Sequence, residues 1–167
     1  MKKSIVFALV LSGSVMFMGC KKKKDEEPAP AAKSKTELLT ANSWIVSAST
    51  ADKSVDYDGD GNSSTNVYSQ MGACEKDDFL SFSNTNNVKT GAYDDGASQC
   101  DSSDPQTVSF TWSFNSNETV LTVSFLGGAY TQEYTVVQLD ANTLKVSHTE
   151  QDDNNLSYVQ TDTMVKK

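Results

Sequence analysis

The chain has 167 residues, with 22 Asp and Glu against 14 Lys and no Arg, and a formal net charge of −8. From Thr36 onward the imbalance sharpens to 19 acids against 6 lysines. Such a surface excludes nucleic-acid binding, which needs a basic footprint, and the lack of Arg removes bidentate capture of phosphate or carboxylate; solvation, repulsion from anionic headgroups and capture of cations remain.

The N-terminus reads as a targeting segment. Lys2 and Lys3 form a positive start, Ile5 to Met18 a mostly apolar run, and Gly19 puts a small residue before Cys20. This is the layout of a secretory signal peptide over 1–19. The Gly19-Cys20 junction resembles the lipobox of bacterial lipoproteins. That resemblance implies cleavage before Cys20, acylation of its thiol and residence in the cell envelope, with the outer membrane as the expected address. No second apolar run of transmembrane length follows, so the lipid is the expected membrane anchor.

Residues 20–35 are expected to be the lipidated cysteine and a linker. Four lysines directly after Cys20, then Asp25, Glu26, Glu27, two prolines, several alanines and two more lysines offer nothing to bury. The acids resemble export signals that follow the lipidated cysteine in some Gram-negative lipoproteins. With Cys20 set aside, Cys74 and Cys100 remain. In an oxidising compartment a disulfide is the default, with a metal pair or a reactive thiol as alternatives.

The segment 36–167 reads as one domain. A short helical turn from Thr36 places Leu38 and Leu39 to cap a core, and β structure follows almost throughout. Trp44–Thr50 is the first strand, with Trp44, Val46 and Ala48 on one face, and 51–76 is a long loop. Asp78–Ser83, Val88–Tyr93, Thr107–Asn115 and Thr119–Leu126 come next. The third of these alternates without a break, Val108, Phe110, Trp112 and Phe114 against Ser109, Thr111 and Ser113, the period of a half-buried strand. Gly127-Gly128 is a hairpin signal. Ala129–Leu139, Leu144–His148 and Leu156–Val165 complete eight strands. Hairpin-length connections favour antiparallel neighbours, and eight strands in meander order predict an all-β, antiparallel up-and-down barrel that leaves no open edge. The alternative is a two-sheet β-sandwich.

Several stretches resemble the lipocalin-like domains carried by many bacterial lipoproteins. They are Asn42-Ser43-Trp44, Cys74-Glu75-Lys76-Asp77-Asp78 leading to Leu80 and Phe82, Cys100 before Asp104-Pro105, Thr111-Trp112-Ser113, and Tyr134 to Leu139 followed by Leu144. The likeness spans roughly 36–165. It implies an eight-stranded barrel with a ligand-sized mouth and no reaction.

Asp56, Asp58, Asp60 and Asn62, with Gly61 between, reproduce the start of an EF-hand loop, where oxygens converge on Ca2+ around a glycine turn. Val67 stands where the closing Glu belongs, so Ser64 or the Glu75/Asp77/Asp78 cluster would complete a structural site; the alternative is a solvated Asp-Gly loop. His148 shares the register of Leu144 and Val146 and reads as a core or rim residue. Asp94-Asp95 and Asp152-Asp153 read as solvated turns. Trp44, Phe82, Phe110, Trp112, Phe114 and Phe125 are core residues or the lining of an apolar pocket.

These observations predict a lipid-anchored, monomeric, non-enzymatic protein that binds a small apolar ligand. The alternative is an envelope interaction protein, with a filled barrel presenting loop 51–76 to a protein or glycan. An open interior carries the first reading; an interior filled by Phe110, Trp112 and Phe114 carries the second.

Overall fold

The computed structural model describes residues 32–152 and 155–167. Signal peptide, Cys20, the linker up to residue 31 and Asp153 lie outside the described residues. Helix α1 spans Lys35–Leu39. Ser34 is its N-cap: its hydroxyl accepts from the Glu37 N–H while the Glu37 carboxylate accepts from the Ser34 N–H, a reciprocal capping box that satisfies two helix-end donors. The helix therefore starts one residue before the expected linker ends.

Eight strands follow: β1 Ser43–Ala51, β2 Phe79–Thr85, β3 Val88–Asp94, β4 Thr107–Phe114, β5 Val120–Phe125, β6 Tyr130–Leu139, β7 Thr143–Gln151 and β8 Ser157–Lys166. Each pairs antiparallel with the next, and β1 also pairs with β8, so the sheet closes into a barrel in meander order. Closure excludes the sandwich. Hairpin chemistry is local: Asn86 and Asn87 both take positive φ, 52° and 64°, the signature of a primed two-residue turn.

Two bulges alter the expected alternation. A register shift between Val46 and Ala48, opposite Met164 and Thr163, turns Ala48 outward and sends Ser49 and Ala51 inward. The extra residue of a bulge inverts the face of everything after it. A second shift between Val136 and Gln138 leaves Val137 exposed. The expected long loop also contains a short helix, α2, at Val67–Gln70, capped by the Asn66 side chain on the Ser69 N–H.

One end of the barrel is sealed. Leu39 of α1 is fully buried, and the Trp44 indole N–H donates to the Leu39 carbonyl at 2.8 Å. Phe82, Phe110, Trp112, Leu121, Val123, Leu144 and Val146 fill the interior with them. The aromatic rings meet edge-on, Phe82 against Phe110 at 5.4 Å and against Trp112 at 5.9 Å, the geometry their quadrupoles favour. Gly91 makes room for this cluster: a Cβ there would lie 2.2 Å from the Phe110 ring and 2.5 Å from the Ser81 carbonyl.

Candidate functional site

The strand ends place the connections 52–78, 95–106, 126–129 and 152–156 at the other end, the mouth. The Cys74-Glu75-Lys76-Asp77-Asp78 run ties two of them together. Cys74 and Cys100 form a disulfide with Cα atoms 5.2 Å apart. The Asp77 carboxylate accepts from the N–H groups of Ala97 and Ser98 at 2.7 and 3.0 Å, and the Tyr93 hydroxyl donates to Asp78 Oδ2. Glu75 accepts from the Tyr57 hydroxyl at 3.0 Å and from the Gly72 N–H at 2.6 Å. Beneath, Val67 of α2 packs with Ala51, Val55 and Tyr158 in a separate small core.

Three cavities open within this frame. The first, about 290 Å3, runs from Tyr57 and Glu75 in the long loop down to Trp44, with Val46, Leu80, Phe125 and Met164 as apolar walls. Its volume is at the lower end of small-molecule sites, which run from ~300 Å3 upward. A second, about 560 Å3, lies between the loop 95–106 and Phe125, and shares Glu75, Asp78 and Tyr93 with the first. The third, about 340 Å3, is polar and holds Asp56, His148, Glu150 and Tyr158. Deeper in the barrel only about 30 Å3 remains, among Phe82, Leu121, Leu144 and neighbours, close to one water's share of liquid volume (~30 Å3). The interior is thus filled in its closed half and open at its mouth.

The expected pocket residues divide along that line. Trp44 and Phe125 face the 290 Å3 cavity, and Phe82 only the small void. Phe110, Trp112 and Phe114 pack against one another and their neighbours. Phe110 also borders a shallow outer depression beside Gly91. Tyr134, an aromatic expected in the core or in a pocket wall, lines the mouth, and Tyr57, Met71, Tyr93 and Met164 line it without having been singled out as pocket residues by sequence. Of these, Tyr93 stood in a recognised strand, and Met164 in the register of β8.

Electrostatics at the mouth are one-sided. Burial raises the Asp78 carboxyl above the usual carboxylate range; the Tyr93 hydrogen bond opposes the shift, and the charges of Asp95, Asp77 and Glu75 add to it. Burial likewise raises the Tyr93 hydroxyl, with Asp78 beside it. His148 is in the wall, its side chain 7% exposed, with Nε2 at 3.1 Å from Glu150 Oε1 and Nδ1 at 3.8 Å from Asp162 Oδ2. Its ring meets that of Tyr134 edge-on. Ser49 lies opposite Asp162 in the β1–β8 register, but the His148 Nε2 that would serve a nucleophile is held by Glu150. No nucleophile, base and orienter are assembled there among the described residues.

Asp56, Asp58 and Asp60 converge, each offering a carboxylate oxygen within 4.8 Å of the others. The Gly61 N–H donates to Asp56 Oδ2 at 2.9 Å and the Asn62 N–H to Asp60 Oδ1 at 2.7 Å, while Asp56 Oδ1 is buried without a hydrogen-bond partner. The set suits a hard cation on its open side. Val67 is fully buried in its own core and contributes nothing. Ser64 caps the Asn66 N–H, and Glu75, Asp77 and Asp78 hold Tyr57, the 95–106 loop and Tyr93.

A family model for the lipocalin-like domain matches residues 39–146. Among solved structures, a complex of bovine odorant binding protein with a selenium-containing odorant aligns at 9% identity and a TM-score of 0.44, over 82% of this chain and 75% of that one. No curated protein matches.

Proposed function

The chain belongs to the lipocalin-like domain family, and from that premise we propose that it is a non-catalytic binding protein that holds a small, largely apolar ligand in the barrel mouth. The observation that carries this reading is the 290 Å3 cavity, walled by Trp44, Val46, Leu80, Phe125 and Met164, above a filled floor. A floor without space stops a ligand at mouth depth. Burying a body of modest size against these walls contributes about 25 cal/mol per Å2 of apolar surface.

On the same proposal the protein acts at the cell envelope, held in the outer membrane by lipid on Cys20. Support for this comes from the signal layout of residues 1–19 and the Gly19-Cys20 junction. Ca2+ bound by Asp56, Asp58 and Asp60, with Asn62 alongside, would fix the long loop; the converging oxygens and the orphaned Asp56 Oδ1 support it. A protein or glycan partner at the loops is the weaker reading, because the mouth is open rather than filled.

Native mass spectrometry of the full chain purified from its own envelope tests the binding reading. A single small organic mass bound one-to-one is expected. Protein masses that carry only the lipid would overturn it.

A further inference from the structure

We infer that the mouth selects an organic cation: an ammonium-bearing molecule whose apolar body enters the 290 Å3 cavity and whose charge meets Asp78. The inference rests on the binding reading above and names the chemistry of the ligand.

Asp78 stands where the 290 Å3 and 560 Å3 cavities meet and lines both. Its Oδ2 accepts from Tyr93, but its Oδ1 is buried with no hydrogen-bond partner in the structure. An orphaned carboxylate oxygen in a part-buried site costs free energy until a donor reaches it. A charged donor answers that need best, because it adds the attraction between two opposite full charges to the hydrogen bond in a part-buried site.

Among the described residues none supplies such a donor. The mouth loops hold only Lys53 and Lys76. Lys53 donates to the Ser157 carbonyl at 2.6 Å, and Lys76 lies over the Tyr68 ring. No lysine lines any of the three cavities. Glu75, Asp95, Asp101 and Asp104 stand round Asp78 on the same walls, so their field favours a cation and repels an anion. Burial raises the Asp78 carboxyl, and the charges of Asp95, Asp77 and Glu75 add to that shift.

The remaining walls suit an organic rather than a metallic cation. A divalent metal needs several oxygens converging on one point, and among the described residues only Asp56, Asp58 and Asp60 converge so, away from Asp78. Around Asp78 the partners are Tyr93, Phe125 and Tyr130, aromatic faces that attract an ammonium group. Trp44, Leu80 and Met164 beyond them accept an apolar body.

Calorimetric titration of the full chain at neutral pH with octylamine, octanol and octanoate, three probes with one apolar body, tests the inference. Octylamine is expected to bind about tenfold or more tightly than octanol, with octanoate weakest. Asp78→Asn should abolish the advantage of octylamine over octanol, and Glu75→Gln should reduce that advantage by a smaller factor. Octanol binding as tightly as octylamine, or an advantage that survives Asp78→Asn, overturns the cation inference while the mouth remains a binding site. Failure of all three probes to bind overturns both.

Discussion

Gly96 has φ of +65°, and a Cβ on it would stand 2.5 Å from the Asp77 carbonyl oxygen. Gly96→Ala should therefore cost about 1–3 kcal/mol of unfolding free energy, measured by denaturant melts, and should loosen the loop that Asp77 staples. Asp78 sets a second residue-scale expectation, with a definite sign. Its folded carboxyl lies above its unfolded value, so the folded state binds the proton more tightly and this residue's contribution falls as pH rises above 3.8. Asp78→Asn should then raise the melting temperature at pH 7, and the difference should vanish below pH 3.8. Glu37, Asp101 and Asp140 run the other way. Backbone N–H groups of Ser34, Ser103 and Asn142 hold their carboxyls low, so they stabilise the fold above the ordinary carboxylate range and lose that as pH falls. A variant that gains stability and loses an expected ligand is the usual signature of a binding residue. Little of this was legible in the sequence. Asp78 looked like one of several acids, and it is the β2–β3 register, with Leu80 opposite Tyr93, that brings Tyr93 onto it.

At the scale of elements, strands were the most legible feature, because alternation such as that of Thr107–Phe114 directly encodes a buried and a wet face. The bulges were not, since the extra residue in β1 carries no distinctive side chain and reveals itself only in pairing with β8. Helix α2 escaped for a related reason: four residues are too few to show a helical period, and Asn66 is the sole local signal. The pairing of Cys74 with Cys100 followed from compartment and count, and the structure shows what it joins. Reduction should lower stability by about 3 kcal/mol on the chain-entropy model, measured by denaturant melts with and without reductant. Far-ultraviolet circular dichroism should remain β-type, because the barrel ladder does not pass through the disulfide. Calcium belongs to the same loop. A chelator should lower the melting midpoint of the full chain, and an unchanged midpoint removes the Asp56 site.

Across the whole molecule, the closed half of the barrel is an aromatic and aliphatic core, while the mouth is apolar inside and acidic at its rim. Composition showed that the domain is acidic; it did not show where the acids gather, because Glu75 comes from one mouth connection and Asp95, Asp101 and Asp104 from another, and the fold brings them to one cavity. Both tryptophans belong to the core, but only Trp44 also borders one of the three mouth cavities. Trp44 borders the 290 Å3 cavity, with its indole N–H on Leu39; Trp112 is in the core, with its indole N–H shared between the Ser83 and Thr90 carbonyls. Two-dimensional 1H–15N NMR of the full chain titrated with octanol resolves their two indole signals. A saturable shift of the Trp44 indole, with that of Trp112 unmoved, is the result expected of a ligand site in the mouth above a filled floor; a still Trp44 indole, or a shift confined to Trp112, contradicts it.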